Sequence, residues 1–248
     1  MNKKKHILYW MLSAIFITNA LLAELIGSKI FSLEKTLGYQ PLKFNLFSES
    51  SLSLSFTAGV LIWPFVFVIT DLINEYFGKE GVRRISFMAS ACIAYAFLII
   101  WMAIQVAPDS YWIERNPMGE NNTVTIDTAY RKIFGQGLDI IVASLTAFLI
   151  GQFIDAFVFE KIKNKTGKKW IWMRATGSTM ISQLFDSFIV LFIAFYLLKP
   201  SSEKWSIDFL LSVSLMNYMY KLCAAILLTP VLYGFHTLID RYLQHQEA

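Results

Sequence analysis

The chain has 248 residues, of which 56% are hydrophobic and only 16% are charged, and its formal net charge is +4. A water-soluble domain normally carries about 25% charged residues, so this composition excludes an ordinary soluble protein and is typical of a membrane protein. The small positive charge is better explained by Lys and Arg in the loops between membrane segments than by nucleic-acid binding, and we expect no nucleic-acid partner.

Six apolar segments are long enough to cross about 30 Å of hydrocarbon as helices, which takes about 20 residues each. They lack the alternating pattern of β-barrel strands. The sequence therefore predicts an all-α polytopic membrane protein, with residues 1–248 forming a single six-helix transmembrane domain. The predicted segments are residues 6–31, 54–77, 85–107, 138–159, 178–198 and 207–235.

The distribution of Lys and Arg predicts the orientation of these segments, because cytoplasmic loops carry an excess of both. One set of loops is richer in them although its loops are shorter. We therefore expect both termini to be cytoplasmic, in a multi-pass protein of the cell inner (cytoplasmic) membrane. The residues in this set are Lys3, Lys4, Lys5, Lys79, Arg83, Arg84, Lys161, Lys163, Lys165, Lys168, Lys169, Arg174 and Arg241.

The first two segments contain acidic residues at membrane depth, where a carboxylate costs about 2.5–3.5 kcal/mol on insertion scales. Glu24 either lines a cavity or pairs internally, and the sequence leaves both readings open. In the second segment Asp71, Asn74 and Glu75 share one helical face through their i,i+3 and i,i+4 spacing. Pro64, further towards the start of this segment, predicts a kink.

The longest loop of the predicted topology covers residues 108–136 and faces outward. We favour an ordered turn there over a lid. No cluster of Cys and His residues indicates a metal site, and we expect neither a metal nor another cofactor.

The fourth and fifth segments carry the same local phrase, Gly-Gln-Phe-Ile-Asp-Ala-Phe at residues 151–157 and Ser-Gln-Leu-Phe-Asp-Ser-Phe at residues 182–188. Each copy places an amide one turn from a carboxylate on the same helical face, as Gln152 with Asp155 and Gln183 with Asp186. Polar contacts between membrane helices are worth only about 0.6–2 kcal/mol, which scarcely offsets a buried charge. A binding site is therefore favoured over a purely structural role.

The sixth segment places Asn217 and Lys221 on one helical face. A lysine at this depth is expected to find an acidic partner, and Asp186 or Asp155 are the natural candidates.

Short motifs recur along the chain from the second segment to the last. They are the run TDLINEYFGK at 70–79, Phe134-Gly135, Ala143-Ser144, Gln152, Asp155, Thr166-Gly167-Lys168, Trp172-Met173-Arg174, Ser178-Thr179, Gln183, Asp186, Tyr220-Lys221 and Thr229-Pro230. Together these motifs resemble the queuosine precursor transporter family, also called the vitamin uptake transporter family. The resemblance covers nearly the whole chain after the first segment and departs at Ala175 and Ser187, where the family pattern has Asn and Thr.

The resemblance implies an importer of 7-deazaguanine compounds, the cyano or aminomethyl precursors of queuosine or queuine, for salvage of this tRNA nucleoside. We expect the substrate-binding residues to be Gln152, Asp155, Gln183, Asp186, Asp71, Asn217 and Lys221. Further coupling or cavity-lining candidates are Glu24, Asn74 and Glu75. The aromatic residues suggested for stacking on the ring are Phe153, Phe157, Phe185, Phe188 and Tyr218.

A structural or partner-binding membrane subunit is another function class, and it would tolerate Asp155→Asn and Asp186→Asn as long as the chain folded. No Walker motif occurs, so the alternative to a proton-coupled carrier or a facilitator is a substrate-binding component for another vitamin-like solute, energised by a separate ATPase. An intramembrane enzyme is disfavoured because neither aspartate has the Tyr-Asp or Gly-x-Gly-Asp context of the aspartyl proteases. The sequence also lacks Gly-x-Ser-x-Gly and His-Glu-x-x-His motifs. The oligomeric state cannot be predicted from the sequence.

Overall fold

The computed structural model describes residues 3–27, 29–40, 55–115, 124–167 and 170–244. Within these ranges, five helices are long and apolar enough to cross a membrane. The helices of the bundle are α1 (Lys3–Ile26), α3 (Trp63–Gln105), α5 (Ile126–Thr166), α6 (Ile171–Phe192), which continues as a π-helical turn (Ile193–Leu197), and α7 (Ile207–Gln244). The apolar core lies between them, with buried side chains from all five.

Helix α3 consists of two halves that run in opposite directions. Its backbone leaves the helical region at Gly78, where φ is 69° and ψ is −178°. Before Gly78, α3 runs parallel to α5, since residue numbers increase together in the contact pairs Trp63–Phe148, Thr70–Gln152 and Asn74–Ala156. After Gly78, α3 runs antiparallel to α5, since the contact pairs are Lys79–Glu160 and then Phe87–Phe153. This conformation is essentially restricted to glycine, so Gly78 permits the reversal.

The remaining long helices are antiparallel neighbours. Helices α5 and α6 approach each other closely at Gly151, where an added Cβ would lie 3.5 Å from Asp186 Cβ. Helices α6 and α7 meet in the pairs Asp186–Lys221, Thr176–Thr229 and Trp172–Tyr233. The start of α1 lies beside the end of α7, where Lys4 Nζ donates a hydrogen bond to the carbonyl oxygen of Tyr242 at 3.1 Å.

We call this end of the bundle the terminal side, since it holds the start of α1, the end of α7 and the reversal at Gly78. It is held together by contacts between different helices, in the pairs Lys4–Tyr242, Tyr9–Gly81, Tyr76–Asp240 and Lys79–Glu160. The other end is the opposite side. Among the described residues, the basic residues predicted to be cytoplasmic belong to the terminal-side ends of the helices, while Lys168 and Lys169 lie outside the described residues.

Two predicted segments are too long, because part of each belongs to a small pair of β-strands at the opposite side. Strands β1 (Ile30–Ser32) and β2 (Ser55–Thr57) pair antiparallel, with Phe31 opposite Phe56. The short helix α2 (Leu33–Thr36) follows β1, and a 3₁₀ turn (Ala58–Leu61) follows β2. The predicted segments 6–31 and 54–77 therefore extend too far into this hairpin, because its apolar side chains continue the apolar runs.

Two other expectations were wrong. Pro64 lies in the first turn of α3, where its missing N–H needs no partner, so it produces no kink. The outer connection is shorter than residues 108–136, because α5 begins at Ile126. The short helix α4 (Ser110–Arg115) occupies part of the connection, and residues 116–123 of the proposed turn or lid lie outside the described residues.

Candidate functional site

A cavity of about 280 Å³ lies between the helices in the half of the bundle nearer the opposite side. Its volume is close to the lower end of the range for small-molecule pockets, about 300–1,000 Å³. The wall combines apolar and aromatic side chains with a few polar groups, as such pockets usually do. The polar side chains in the wall are Glu24, Thr57, Ser144, Asp186, Asn217 and Lys221.

An ion pair between Asp186 on α6 and Lys221 on α7 forms one wall of this cavity. The Lys221 ammonium group donates a hydrogen bond to Asp186 Oδ2, and both side chains are largely buried. The pair identifies the acidic partner expected for Lys221. Asp186 is a strong hydrogen-bond acceptor at the cavity surface, and Asn217 lies one helical turn before Lys221 on the same face.

Glu24 of α1 faces the same cavity. Its Oε1 accepts a hydrogen bond of 2.6 Å from the hydroxyl group of Ser144 on α5. The sequence left open whether Glu24 lines a cavity or pairs internally. In the structure it does both, since it lines the large cavity and binds Ser144. Together with Asp186 and Lys221, it gives this wall two carboxyl groups and one ammonium group.

The two glutamine residues of the repeated phrase lie deeper in the bundle, at a second cavity of about 20 Å³. A void of this size is large enough for a single water, which needs about 10–15 Å³. Gln152 and Gln183 line it together with Asp186, Trp63 and Phe148, and the last three also line the large cavity. The small cavity therefore adjoins the floor of the large one.

Asp71 lines a third cavity of about 20 Å³, nearer the terminal side. Phe67 belongs to the walls of both small cavities. The three voids thus follow one another through the bundle from the opposite side towards the terminal side. Asp71 Oδ1 is buried and has no hydrogen-bond partner among the described residues.

The two copies of the repeated phrase have different surroundings, although their sequences are alike. Asp186 pairs with Lys221 at the large cavity, whereas Asp155 is only 6% exposed and lies between α5 and α6. The hydroxyl group of Ser182 donates to Asp155 Oδ1 at 3.2 Å, and Asp155 Oδ2 has no partner among the described residues. The structure therefore does not bring the two aspartates to one ligand-sized cavity.

Asn74 and Glu75 lie beyond the cavities, towards the terminal side. Glu75 forms ion pairs with Arg174 at 2.8 Å and with Lys163 at 3.0 Å. The Asn74 side chain donates to the carbonyl oxygen of Ala156 at 3.4 Å. These contacts join α3, α5 and α6 and close the bundle on this side.

The aromatic residues of the cavity differ from those suggested by the sequence. Trp63, Phe148 and Phe195 line the large cavity, and the rings of Trp63 and Phe148 are 5.7 Å apart. The residues suggested for stacking, Phe153, Phe157, Phe185, Phe188 and Tyr218, do not line it. Phe157 and Phe185 are instead exposed on the outer surface of the bundle. The sequence carried no signal that distinguishes Trp63, Phe148 and Phe195 from the other aromatic residues of the apolar segments.

A family model described as "Putative vitamin uptake transporter" matches residues 57–235. The chain is 28% identical over 187 residues to "Probable queuosine precursor transporter" of Haemophilus influenzae, covering 75% of this chain and 71% of that protein. It is 26% identical to the protein of the same name from Bacillus subtilis and to "Queuosine precursor transporter" of Escherichia coli, in each case covering 75% of this chain and 74% of the relative. No solved structure matches the chain. These relatives are transporters and not enzymes.

Proposed function

Since the chain belongs to the vitamin uptake transporter family, we propose that it imports queuosine precursors of the 7-deazaguanine class for salvage of the tRNA nucleoside. The names of the three relatives favour this substrate class over another vitamin-like solute. The observation that carries the proposal is the cavity of about 280 Å³, whose wall combines a carboxylate with aromatic rings at the depth of the membrane segments.

The chemistry of this wall suits a guanine-like ring. Such a ring presents adjacent N–H donors that a carboxylate can accept as a pair, and a carbonyl group that an amide or ammonium group can satisfy. Asp186 supplies the carboxylate, and Asn217 and Lys221 supply donors beside it. Trp63 and Phe148 supply ring faces, which stack on a base with about 1–3 kcal/mol each.

We propose that the substrate passes from the large cavity towards the side chains of Gln152 and Gln183, which lie deeper in the bundle. Gln152 and Gln183 line the void that adjoins the cavity floor at Asp186. Gln183 Oε1 is buried without a partner among the described residues, and an unsatisfied acceptor of this kind costs about 1–3 kcal/mol. We propose that these two amides receive the polar edge of the ring when it moves inward from Asp186.

The reversal at Gly78 supports a topology with six membrane spans, in which the two halves of α3 each cross the bilayer. The basic residues of the terminal side then favour a cytoplasmic location for both chain ends, in the inner membrane. With this orientation the large cavity belongs to the external half. The Glu75 ion pairs close the cytoplasmic half, and import requires these contacts to separate while the external half closes.

Uptake in cells tests the proposal. A strain that cannot synthesise queuosine precursors receives the gene for this chain and is given the cyano compound, the aminomethyl compound or queuine separately. Queuosine is then measured in its tRNA. We expect restoration by at least one compound with the wild-type chain and loss of restoration with Asp186→Asn.

The matched control is Asp208→Asn, because Asp208 is an exposed aspartate in the first turn of α7 and does not line the large cavity. This variant should restore tRNA queuosine as the wild type does. The proposal is wrong if all three compounds fail with the wild-type chain present in the membrane, provided that each downstream enzyme is active in the strain.

A further inference from the structure

Asp71 and Asp155 were expected from the sequence to bind the substrate, but both are buried carboxyl groups outside the proposed substrate cavity, and we assign them a different role. They are 5% and 6% exposed, and neither lines the large cavity. Asp71 Oδ1 and Asp155 Oδ2 are each buried without a hydrogen bond to a described residue, although the hydroxyl groups of Ser178, Thr179 and Ser182 lie beside the Asp155 carboxyl group. An ionised carboxylate with an unsatisfied oxygen at this depth is costly, whereas a carboxyl group that holds a proton is much less so.

The charges around this pair favour one bound proton. The contacts Thr70–Gln152 and Asn74–Ala156 place Asp71 against the turn of α5 that carries Asp155, and Glu75 lies one turn further along α3. Asp155, Arg174 on α6 and Glu75 are the charged groups near Asp71. Glu75 in turn contacts Arg174 and Lys163. With every group ionised, the cluster holds three negative and two positive charges and has a net charge of −1. One proton makes it neutral, which is the less costly state for a buried cluster.

Among the described residues, helix α7 places no charged side chain at the void that Asp71 lines. The α7 residues that line the void with Asp71 are Ala225, Leu228, Thr229 and Leu232. Further towards the terminal side, Asp240 is already engaged by the hydroxyl group of Tyr76 at 2.7 Å and by His236 at 3.2 Å. Glu75 Oε2 is also buried without a hydrogen bond, but the Lys163 ammonium group lies 3.0 Å from it in an ion pair. Asp71 Oδ1 and Asp155 Oδ2 have neither a hydrogen bond nor an ion pair among the described residues.

We propose that Asp71 and Asp155 form a proton-binding site that holds one exchangeable proton between them and couples import to the proton gradient. A hydronium ion that reaches the cavities gives its proton to a carboxylate oxygen and leaves as water. The new O–H bond breaks when water from the terminal side accepts the proton and becomes hydronium. No bond of the solute changes. The site follows from the charges of this cluster, whereas its coupling role rests on the proposed import function.

The location of Asp71 gives the proton a route. Its void adjoins the void of Gln152 and Gln183 at Phe67, and that void adjoins the large cavity at Trp63, Phe148 and Asp186. On the terminal side, Glu75 and its two bases lie between the pair and the solvent. Separation of these ion pairs would therefore release the proton and open the cytoplasmic half in one movement.

Infrared difference spectroscopy on the purified protein in lipid tests the site without any substrate. A protonated carboxyl group absorbs through its carbonyl stretch, which a carboxylate lacks. We expect wild type at neutral pH to show a carbonyl band that Asp71→Asn and Asp155→Asn each lose. Either substitution leaves two carboxylates facing two bases, so no proton is needed for neutrality. Asp208→Asn should keep the band.

Transport in proteoliposomes tests the coupling. A 7-deazaguanine compound should accumulate in wild-type vesicles with an alkaline interior, by about tenfold for each unit of pH difference if one proton accompanies each solute. Asp71→Asn and Asp155→Asn should lose this accumulation but still exchange labelled for unlabelled compound. Because exchange needs no net proton movement, it also shows that the variants are folded.

The outcomes separate the two proposals. Wild-type exchange without any response to the pH gradient would overturn the proton coupling and leave the import function intact. Absence of exchange with every 7-deazaguanine compound would overturn the import function, and the infrared band would still decide the proton site. A band that persists in both folded Asn variants would show that the proton resides elsewhere.

Discussion

The ion pair between Lys221 and Asp186 allows a quantitative prediction. Replacement of Lys221 by Met keeps the apolar stem but leaves Asp186 without its ammonium partner in a largely buried position. Removing one member of a buried pair costs about 3–5 kcal/mol. Since the cavity beside Asp186 admits water, we expect the lower part of that range, about 3 kcal/mol.

Asp186→Asn combined with Lys221→Met removes both charges. The double variant should regain most of the loss, because a buried pair replaced by neutral groups of similar size is often no less stable. We therefore expect a double-mutant coupling free energy on the order of 2 kcal/mol, within the range seen for residues in contact. Equilibrium unfolding of the purified protein by dodecyl sulfate in bicelles measures all four free energies. Transport should remain lost in the double variant, since the carboxylate acceptor is absent.

Additive effects of the two single substitutions would refute this reasoning. They would mean that Asp186 and Lys221 do not depend on each other in the folded protein. Asp208→Asn with Lys221→Met serves as the control cycle, because Asp208 is exposed and its combination with Lys221→Met should be additive within about 0.5 kcal/mol.

Three further substitutions, the first with a matched control, test other parts of the structure. Gly78→Ala should lower the free energy of unfolding by about 1–3 kcal/mol through backbone strain alone, since an added Cβ would meet no atom within 4 Å. Gly234→Ala in α7, which is equally open but helical, should be neutral or slightly stabilising in the same unfolding assay. Arg174→Met should destabilise the protein by about 3–5 kcal/mol, because it removes a 1% exposed partner of Glu75, and an unchanged unfolding free energy would contradict the terminal-side cluster. Trp63→Ala should weaken binding of a 7-deazaguanine compound by about 1–3 kcal/mol in calorimetry, and equal affinity would exclude stacking on this ring.

The membrane class could be predicted from the sequence because apolar runs of about 20 residues match the thickness of the hydrocarbon layer and are uncommon in soluble domains. The carboxyl groups at membrane depth could also be identified from the sequence, since each one interrupts an otherwise apolar segment. Their different environments could not be predicted. Asp155 and Asp186 have matching neighbours in sequence, but α6 brings Ser182 to the first and α7 brings Lys221 to the second.

The ends of the segments were harder to predict, because apolar side chains suit a strand as well as a helix. Phe31 and Phe56 continue the apolar runs, yet their backbones pair in a hairpin. The charged residues from Lys79 to Arg84 indicated a loop, but the helix resumes directly after Gly78. Lys79 pairs with Glu160, and Arg83 pairs with Glu80 one turn earlier. Which aromatic side chains line the large cavity depends on which helices are neighbours, and the periodicity of the sequence does not predict helix neighbours.

Calorimetric binding to the purified protein tests most directly whether the carboxylate-lined cavity receives the solute. Titration with the cyano compound, the aminomethyl compound and queuine should give saturable binding of at least one to the wild type. Asp186→Asn should bind that compound at least tenfold more weakly, about 1.4 kcal/mol, with Asp208→Asn unchanged. Equal affinity in wild type and folded Asp186→Asn would contradict the account.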